Sequence, residues 1–483
     1  MRPLDERVTP AQALSRVSEL EAAHDLFRLD VEGWSAWALL RYAVTAAMAY
    51  PSMAAGGTPS PGSRLRQALG SLTEVARLRP AKVLVKTYST ARGDLVDGKY
   101  KDVYFDDLLI ALGSFSKIES VNHLAFAERS RRAWVPTDLN TSGLELSAGL
   151  LGRIKPPRDA ERVAGELAAF IRGPLGVDGF GQAFITRHLA HFAWSKRLHA
   201  MLLRRVRPEI VMIADNFDFP LVAAAKEAGV PTVELQHGVL DRFHAGYAWP
   251  ASLAGKRERL PLVDYVFTYG RHWGDVLDQL PFWRGRVRNV GSLRMDAYRR
   301  LPIQRPAGSF TVLCTTQGVD GAALAEFLCR FMVLARPHLP VRLVVKVHPV
   351  YDGDMAVYRA VLAGQPDVSV LQASEGVPTI ELLKSSHLHV SISSACHFEA
   401  LALGTPTAIV PFAHCEDVMA IHEAGHAPIT ATPEALVALA LQLNKEPSAV
   451  SESTSDYYFR LNALSHMKQA ISELTETVGK GWA

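Results

Sequence analysis

In "PTVELQHGVLDRFHAGYAWP" (231–250) a strand-like run with Val233 and Leu235 in alternation breaks off at His237-Gly238. A histidine at such a break titrates near neutrality and can take a proton from an attacking hydroxyl. Glycine there allows a sharp turn and close backbone approach to a substrate. A core histidine satisfied by backbone is the plain alternative, but Glu234, Arg242 and His244 close by favour a base. Two further groupings suit an anion. In "VKVHP" Lys346 and His348 stand two apart on a strand, so both leave one face, and Pro349 stops the strand at once. In "VSISSACHFEALALGTP" a buried strand ends at Ser393-Ser394 and a helix is expected to start immediately. Its unpaired N–H groups and the two hydroxyls would form a phosphate cradle, with Glu399 placed for ribose hydroxyls. Simple helix capping by the serines is compatible with that role.

The elements that would carry these residues alternate. "AKVLVKTY" reads as a first strand, and "DVYFDDLLIAL" as strand into helix. "EIVMIA", "TVELQ", "YVFTYG" and "RVRNVG" continue as strands with short helices between them. After the connector "GSLRMDAYRRLPIQRPAGS" a second series opens with "FTVLCTTQG" and runs through "VRLVVKVHP", "VSVLQ", "LHVSIS" and "PTAIVPF". Strand–helix alternation with short connections predicts an α/β protein: parallel sheets covered on both faces, in two Rossmann-like domains facing each other. Ligands of such sheets sit beyond the strands' carboxyl ends, where all three groupings fall. The expected divisions are a helical segment over 1–80, one domain over 81–295, a second over 296–445, and a helix over 446–483 returning to the first. The glycines of "GPLGVDGFGQ" (173–182) do not fit a phosphate loop and read as a connector before a long helix ending near Arg205.

Composition narrows the classes. With 483 residues, 48% hydrophobic and 21% charged, the chain has material for two cores. A net charge of +3 lacks the basic excess of a nucleic-acid binder. Cys314, Cys329, Cys396 and Cys415 are scattered and read as reduced thiols. "MRPLDERVTP" has no apolar signal region, and no run of about 18 apolar residues occurs. "WSAWALLRYAVTAAMAY" (34–50), interrupted by Arg41, reads as a buried helix rather than an interfacial anchor. A cytoplasmic protein is expected, with peripheral contact to the inner membrane face or an assembly complex left open.

"QHG" at a strand end, then "KVHP", then "SS…EALALGTP" resembles the GT-B transferases of bacterial surface polysaccharides. That group includes the CDP-glycerol glycerophosphotransferases and the capsule sialyl- and Kdo-transferases. The resemblance covers roughly 205–445. It implies a metal-independent GT-B glycosyltransferase of capsule or surface-polysaccharide synthesis without a cofactor, taking a sugar from a nucleotide-activated, CMP-linked donor to a glycan or lipid-linked acceptor. Polyol-phosphate transfer and nucleotide-sugar epimerisation are the alternatives. The resemblance makes His237 the base. It makes Lys346, His348, Ser393 and Ser394 phosphate ligands and Glu399 a ribose contact. Thr316 and Gln317, after the first strand of the second series, complete the donor set. Arg242, His244 and Tyr247 are expected to meet the acceptor. Gln236 stands where the glycerophosphotransferases carry tryptophan, and the sialyltransferases use an acidic base. Asp215 and Asp218 in "ADNFDFP", also at a strand end, are therefore rivals to His237.

Two motifs are expected to be decoys. "HEAGH" (422–426) spells a zinc-protease pattern, but both histidines would have to share one helix, and Gly425 and Pro428 oppose that. "DGD" (352–354) reads as a helix N-cap rather than a metal motif. His387, His389, His397, His414 and Cys415 show no metal spacing and are expected to be packed or solvated.

Overall fold

The computed structural model describes residues 8–50, 74–121, 127–215, 217–348, 352, 355–372, 377–447 and 450–479. These form two compact units. One comprises Met1–Thr268, Trp273–Leu293 and Asn462–Ala483, and the other Tyr269–His272 and Arg294–Leu461.

The first unit opens with the helix Pro10–Ala23, capped by Thr9 and Gln12 in a reciprocal box. A two-residue hairpin follows, β1 (Asp30–Val31) with β2 (Trp34–Ser35). The helix Ala36–Ala49 comes next, its first turn capped by Ser35. This helix is the buried one expected, with Trp37 and even Arg41 fully enclosed. A buried guanidinium needs partners. Arg41 pairs with Glu21 at 2.7 Å, donates to the Ala245 carbonyl and lies over the Trp249 ring. The amino-terminal helices thereby grip the segment that follows His237. Among the described residues no helix is long and apolar enough to cross a membrane.

The sheet of this unit is seven-stranded and parallel. Its strands are β3 (Val83–Tyr88), β6 (Phe115–Ser120), β7 (Leu139–Asn140), β8 (Ile210–Ile213), β9 (Thr232–Leu235), β10 (Tyr265–Thr268) and β11 (Val287–Asn289). They lie in the order β11-β10-β9-β8-β3-β6-β7. Aliphatic residues of β3, β8 and β9 and the helix Ala463–Gly479 share one core, through Val83, Met212, Val233, Met467 and Ile471. The strand expected at "DVYF" differs from this. Only Asp102 of that stretch is in a strand, the end of β5 (Lys99–Asp102), which pairs antiparallel with β4 (Arg92–Val96) around Asp97 and Gly98, both with left-handed φ. That dipeptide is a tight hairpin turn, which takes the segment out of the parallel sheet. β6 holds the place instead, and its sequence hid it. Lys117 and Glu119 are buried in it as ion pairs, with Asp102 at 3.1 Å and with Arg92, so the apolar pattern of a strand is missing.

The second unit holds five parallel strands: β12 (Phe310–Thr315), β13 (Val341–Lys346), β14 (Val368–Leu371), β15 (Leu388–Ser391) and β16 (Thr407–Ile409), in the order β14-β13-β12-β15-β16. All five were expected. β12 is buried at every position, as a central parallel strand covered on both faces must be. The helix Gly321–Ala335 packs Leu324, Leu328 and Phe331 into this core. Residues up to Leu461 group with this unit, so the return to the first begins at Asn462.

Candidate active site

In a doubly wound sheet the ligand crevice opens where the strand order reverses. In the first unit the reversal lies between β3 and β8. Tyr88 ends β3, Asp215 and Asp218 follow β8, and His237 follows the adjacent β9. In the second unit it lies between β12 and β15. Thr316 and Gln317 follow β12, and Ser393 and Ser394 follow β15, while His348 follows neighbouring β13. His237 and His348 thus each follow the strand next to their own unit's switch point, and the other residues named border it directly.

In the first unit the backbone N–H of Gln236 bonds the Phe267 carbonyl, and its side-chain amide donates to the Gly238 carbonyl at 2.8 Å, closing the turn. Gly238 was expected to allow a sharp turn and close backbone approach to a substrate, and the turn itself does not require glycine. It has no left-handed φ, and a Cβ there would meet nothing within 4 Å. Gly246 is the crowded one. A Cβ would lie 2.8 Å from Phe217 Cζ and 3.1 Å from the His244 ring.

The His237 ring is 36% exposed, and its Nδ1 stands 3.5 Å from Oε1 of Glu234, which is fully buried in β9. The Tyr247 hydroxyl donates to that same oxygen. Glu234 Oε2 is buried with no hydrogen-bond partner. Burial opposes the charged imidazole, but the Glu234 hydrogen bond and the charges of Asp215 and Glu234 outweigh it and raise the His237 pKa above 6.5. Burial raises the Glu234 carboxyl above its ordinary value although His237 and Tyr247 both donate to it. Asp215 is also raised, by burial first, with His237 and the Phe217 N–H acting against it. Its Oδ1 accepts that N–H at 2.8 Å.

The other expected acceptor residues separate. Tyr247 is buried, so it acts through Glu234 rather than at the surface. Arg242 is exposed over the Phe243 ring. His244 is held neutral, its pKa lowered to about 4 by burial and then by the charge of His237. It stacks on Tyr42 of the helix Ala36–Ala49, and Tyr42 stacks on Phe217 with centroids 4.2 Å apart.

Sequence reasoning missed Lys86, an ammonium inside the apolar run of β3. It pairs with Asp218 at 2.5 Å, both side chains about 5% exposed or less, and lies 4.0 Å from Glu145. Asp218 is therefore tied up in an ion pair, which disfavours it as a base. Tyr88 is 3.5 Å from the same carboxylate. Glu145 also meets His191 at 3.0 Å. Burial works against its charge, yet His191 and Lys86 bring its pKa down to about 2. A lysine interrupting a β-branched strand was the only legible sign of this cluster.

In the second unit the expected cationic pair is weaker than its residue types promised. Lys346 is buried, and its ammonium donates to the Gln372 carbonyl at 2.7 Å. Burial lowers His348 to about 4, so its imidazole is neutral at pH 7. Its backbone N–H donates to the Thr316 hydroxyl at 3.2 Å. The helix beyond the serine pair starts at Cys396, directly after the Ser394-Ala395 turn, and its first N–H groups are already paired. Cys396 N donates to Ser394 Oγ, and His397 N to the Ser394 carbonyl. This corrects the cradle of unpaired N–H groups: the Ser394-Ala395 turn consumes them. Ser393, Gln317 and Glu399 are half-buried, with solvent-reaching surface at this switch point. Beneath them the Thr407 hydroxyl touches Nδ1 of both His389 (2.8 Å) and His397 (2.6 Å), and His389 Nε2 meets Thr315 Oγ1 at 2.9 Å. These two histidines are core polar groups.

The zinc-like "HEAGH" breaks as expected. The helix ends at Glu423 and Gly425 has φ +74. His422 Nδ1 bonds the Ala427 carbonyl and His426 Nδ1 bonds the Tyr458 hydroxyl. In "DGD", Gly353 and Asp354 lie outside the described residues; Asp352 accepts from the Tyr358 hydroxyl at 2.9 Å.

No protein-family model matches the chain, and no curated protein sequence does. Solved structures do. The UDP-GlcNAc 2-epimerase of Neisseria meningitidis, solved bound to UDP-GlcNAc, is similar with a TM-score of 0.50 at 14% identity, over 81% of this chain and 99% of that one. A putative UDP-N-acetylglucosamine 2-epimerase of Listeria monocytogenes gives 0.53 at 13%, over 83% and 98%. The wall teichoic acid polymerase TagF gives 0.45 at 11%, over 87% and 99%. The fold is GT-B, with one Rossmann-like parallel sheet in each unit.

Proposed function

We propose that the protein is a metal-independent glycosyltransferase that moves a sugar from a nucleotide-activated donor to an acceptor hydroxyl in surface-polysaccharide synthesis. The observation that carries this reading is the pairing of His237 with buried Glu234 at a strand's carboxyl end. With Nδ1–H turned to Glu234, Nε2 is left to take the acceptor proton. The acceptor oxygen then forms the new bond at the anomeric carbon, the bond from that carbon to the donor phosphate breaks, and the nucleotide departs as the anion. Thr316, Gln317, Ser393 and Ser394, with neutral His348, are the groups proposed to hydrogen-bond the phosphate. Glu399 is proposed for the ribose. Asp215, its carboxyl held above the ordinary range, is the rival to His237 for the base. By the resemblance around "KVHP" the donor is CMP-linked.

A specific observation favours one second reading. Two carboxyls with raised pKa, Asp215 and Glu234, flank His237 electrostatically, and an epimerase needs paired groups to remove and return protons. Thermal shift with CMP, CDP, UDP and GDP identifies the nucleotide, since ligand binding to the folded state raises its stability. Incubating the matching nucleotide sugar with no acceptor then separates the readings: consumption of donor alone supports the epimerase and defeats the transferase.

A further inference from the structure

On the helix Ser142–Ile154, Leu150 is 57% and Ile154 79% exposed, one helical turn apart and so on one face. An exposed aliphatic by itself needs no explanation, but these two are interleaved with and followed in the chain by a run of positive charge. Arg153, Lys155 and Arg158 are all exposed, and among the described residues none of the three makes an ion pair. Asp159, the next carboxylate in the chain, is 3.7 Å from Arg162. A helix carboxyl terminus favours a cation near its last carbonyls, which accounts for Arg153 but not for the bare aliphatics or the two charges beyond it. The patch rests on a rigid support. Gly152 packs against Ala190 of the long helix Gln182–Val206, where a Cβ would meet backbone at 3.1 Å. Trp194 of that helix donates its indole N–H to the Lys155 carbonyl at 2.8 Å.

We propose that this face docks the protein on an anionic membrane surface, Leu150 and Ile154 entering the headgroup boundary and Arg153, Lys155 and Arg158 meeting lipid phosphates. The apolar pair alone would suit many partners. The uncompensated positive charge around it selects an acidic surface, and the mixture of short apolar insertion with a basic rim is what interfacial binding requires.

The test is co-sedimentation of the full chain with vesicles of phosphatidylglycerol in phosphatidylcholine, against pure phosphatidylcholine, with no donor or acceptor present. Its outcome is therefore independent of the proposed reaction. Each basic residue near an anionic surface contributes about five-fold in affinity, so the triple change Arg153→Ala, Lys155→Ala, Arg158→Ala should lower binding roughly a hundredfold. The pair Leu150→Ser, Ile154→Ser should weaken it at unchanged net charge and with an unchanged melting temperature. Binding to both vesicle types alike, or anionic binding that survives both sets of changes, overturns the proposal. So does vesicle-independent self-association that Ile154→Ser abolishes, which would make the occupant a second copy of the chain.

Discussion

Glu234→Gln isolates the electrostatic partner of His237 while keeping its shape. The amide oxygen can still accept from Tyr247 and from His237 Nδ1, but it accepts as a neutral group. A hydrogen bond to a charged partner contributes about 1.5–3 kcal/mol and one between neutral groups about 0.5–1.5. The difference, on the order of 1.4 kcal/mol, corresponds to about one pKa unit. The His237 ring is a third open to water, which screens the interaction, so a larger shift is not expected. The direction follows from the causes: Glu234 raises the His237 pKa, so its removal lowers it. The acid limb of kcat/KM, below which the base is protonated, should move about one unit to lower pH. The His237 imidazole resonances, followed by NMR titration, should move with it. Stability gives the control. Burial holds the Glu234 carboxyl above its usual 4.5, so ionising it costs the fold stability as pH rises past that value. The amide never ionises, and the melting temperature at neutral pH should hold or rise. An acid limb that stays in place, or a His237 pKa that rises, would show that Glu234 does not set the charge of His237.

Three further outcomes follow from the geometry. Lys86→Met strands the buried Asp218 carboxylate and should cost about 3–5 kcal/mol, seen as a fall of roughly 10 °C in melting temperature. Adding Asp218→Leu should recover most of it, and a loss under about 1 kcal/mol contradicts the ion pair. Because His348 is lowered to about 4, its imidazole stays neutral between about pH 6 and pH 8, and affinity for a nucleotide sugar should be flat there by calorimetry. Tightening toward the acid end would show a charged His348. Gly246→Ala drives a methyl against Phe217 and His244, and should cost about 1–3 kcal/mol by denaturant titration while raising KM for the acceptor more than it lowers donor binding.

The second unit was the more legible half of the chain. Most of its strands are apolar runs, β12 and β13 closed by glycine or proline within a few residues, and such runs announce a buried parallel sheet. The first unit hid its sixth strand because Lys117 and Glu119 are buried there in ion pairs, and pairing across the chain leaves no local trace. At the candidate sites, position at a strand end was readable and residue type was readable, but solvation was not. Lys346 and His348 look alike as cations in sequence; burial holds the ammonium of one against the Gln372 carbonyl and leaves the other neutral. Likewise nothing local says that Lys86 neutralises Asp218, or that Tyr42 of the second helix reaches His244.

The most direct test of the transferase reading is nucleotide release measured with and without acceptor, by wild type and His237→Ala, alongside nucleotide binding by thermal shift. The account predicts release that requires the acceptor, falls by about two to four orders of magnitude in the variant, and leaves nucleotide binding intact. Undiminished release by the variant, or release that ignores the acceptor, would contradict it.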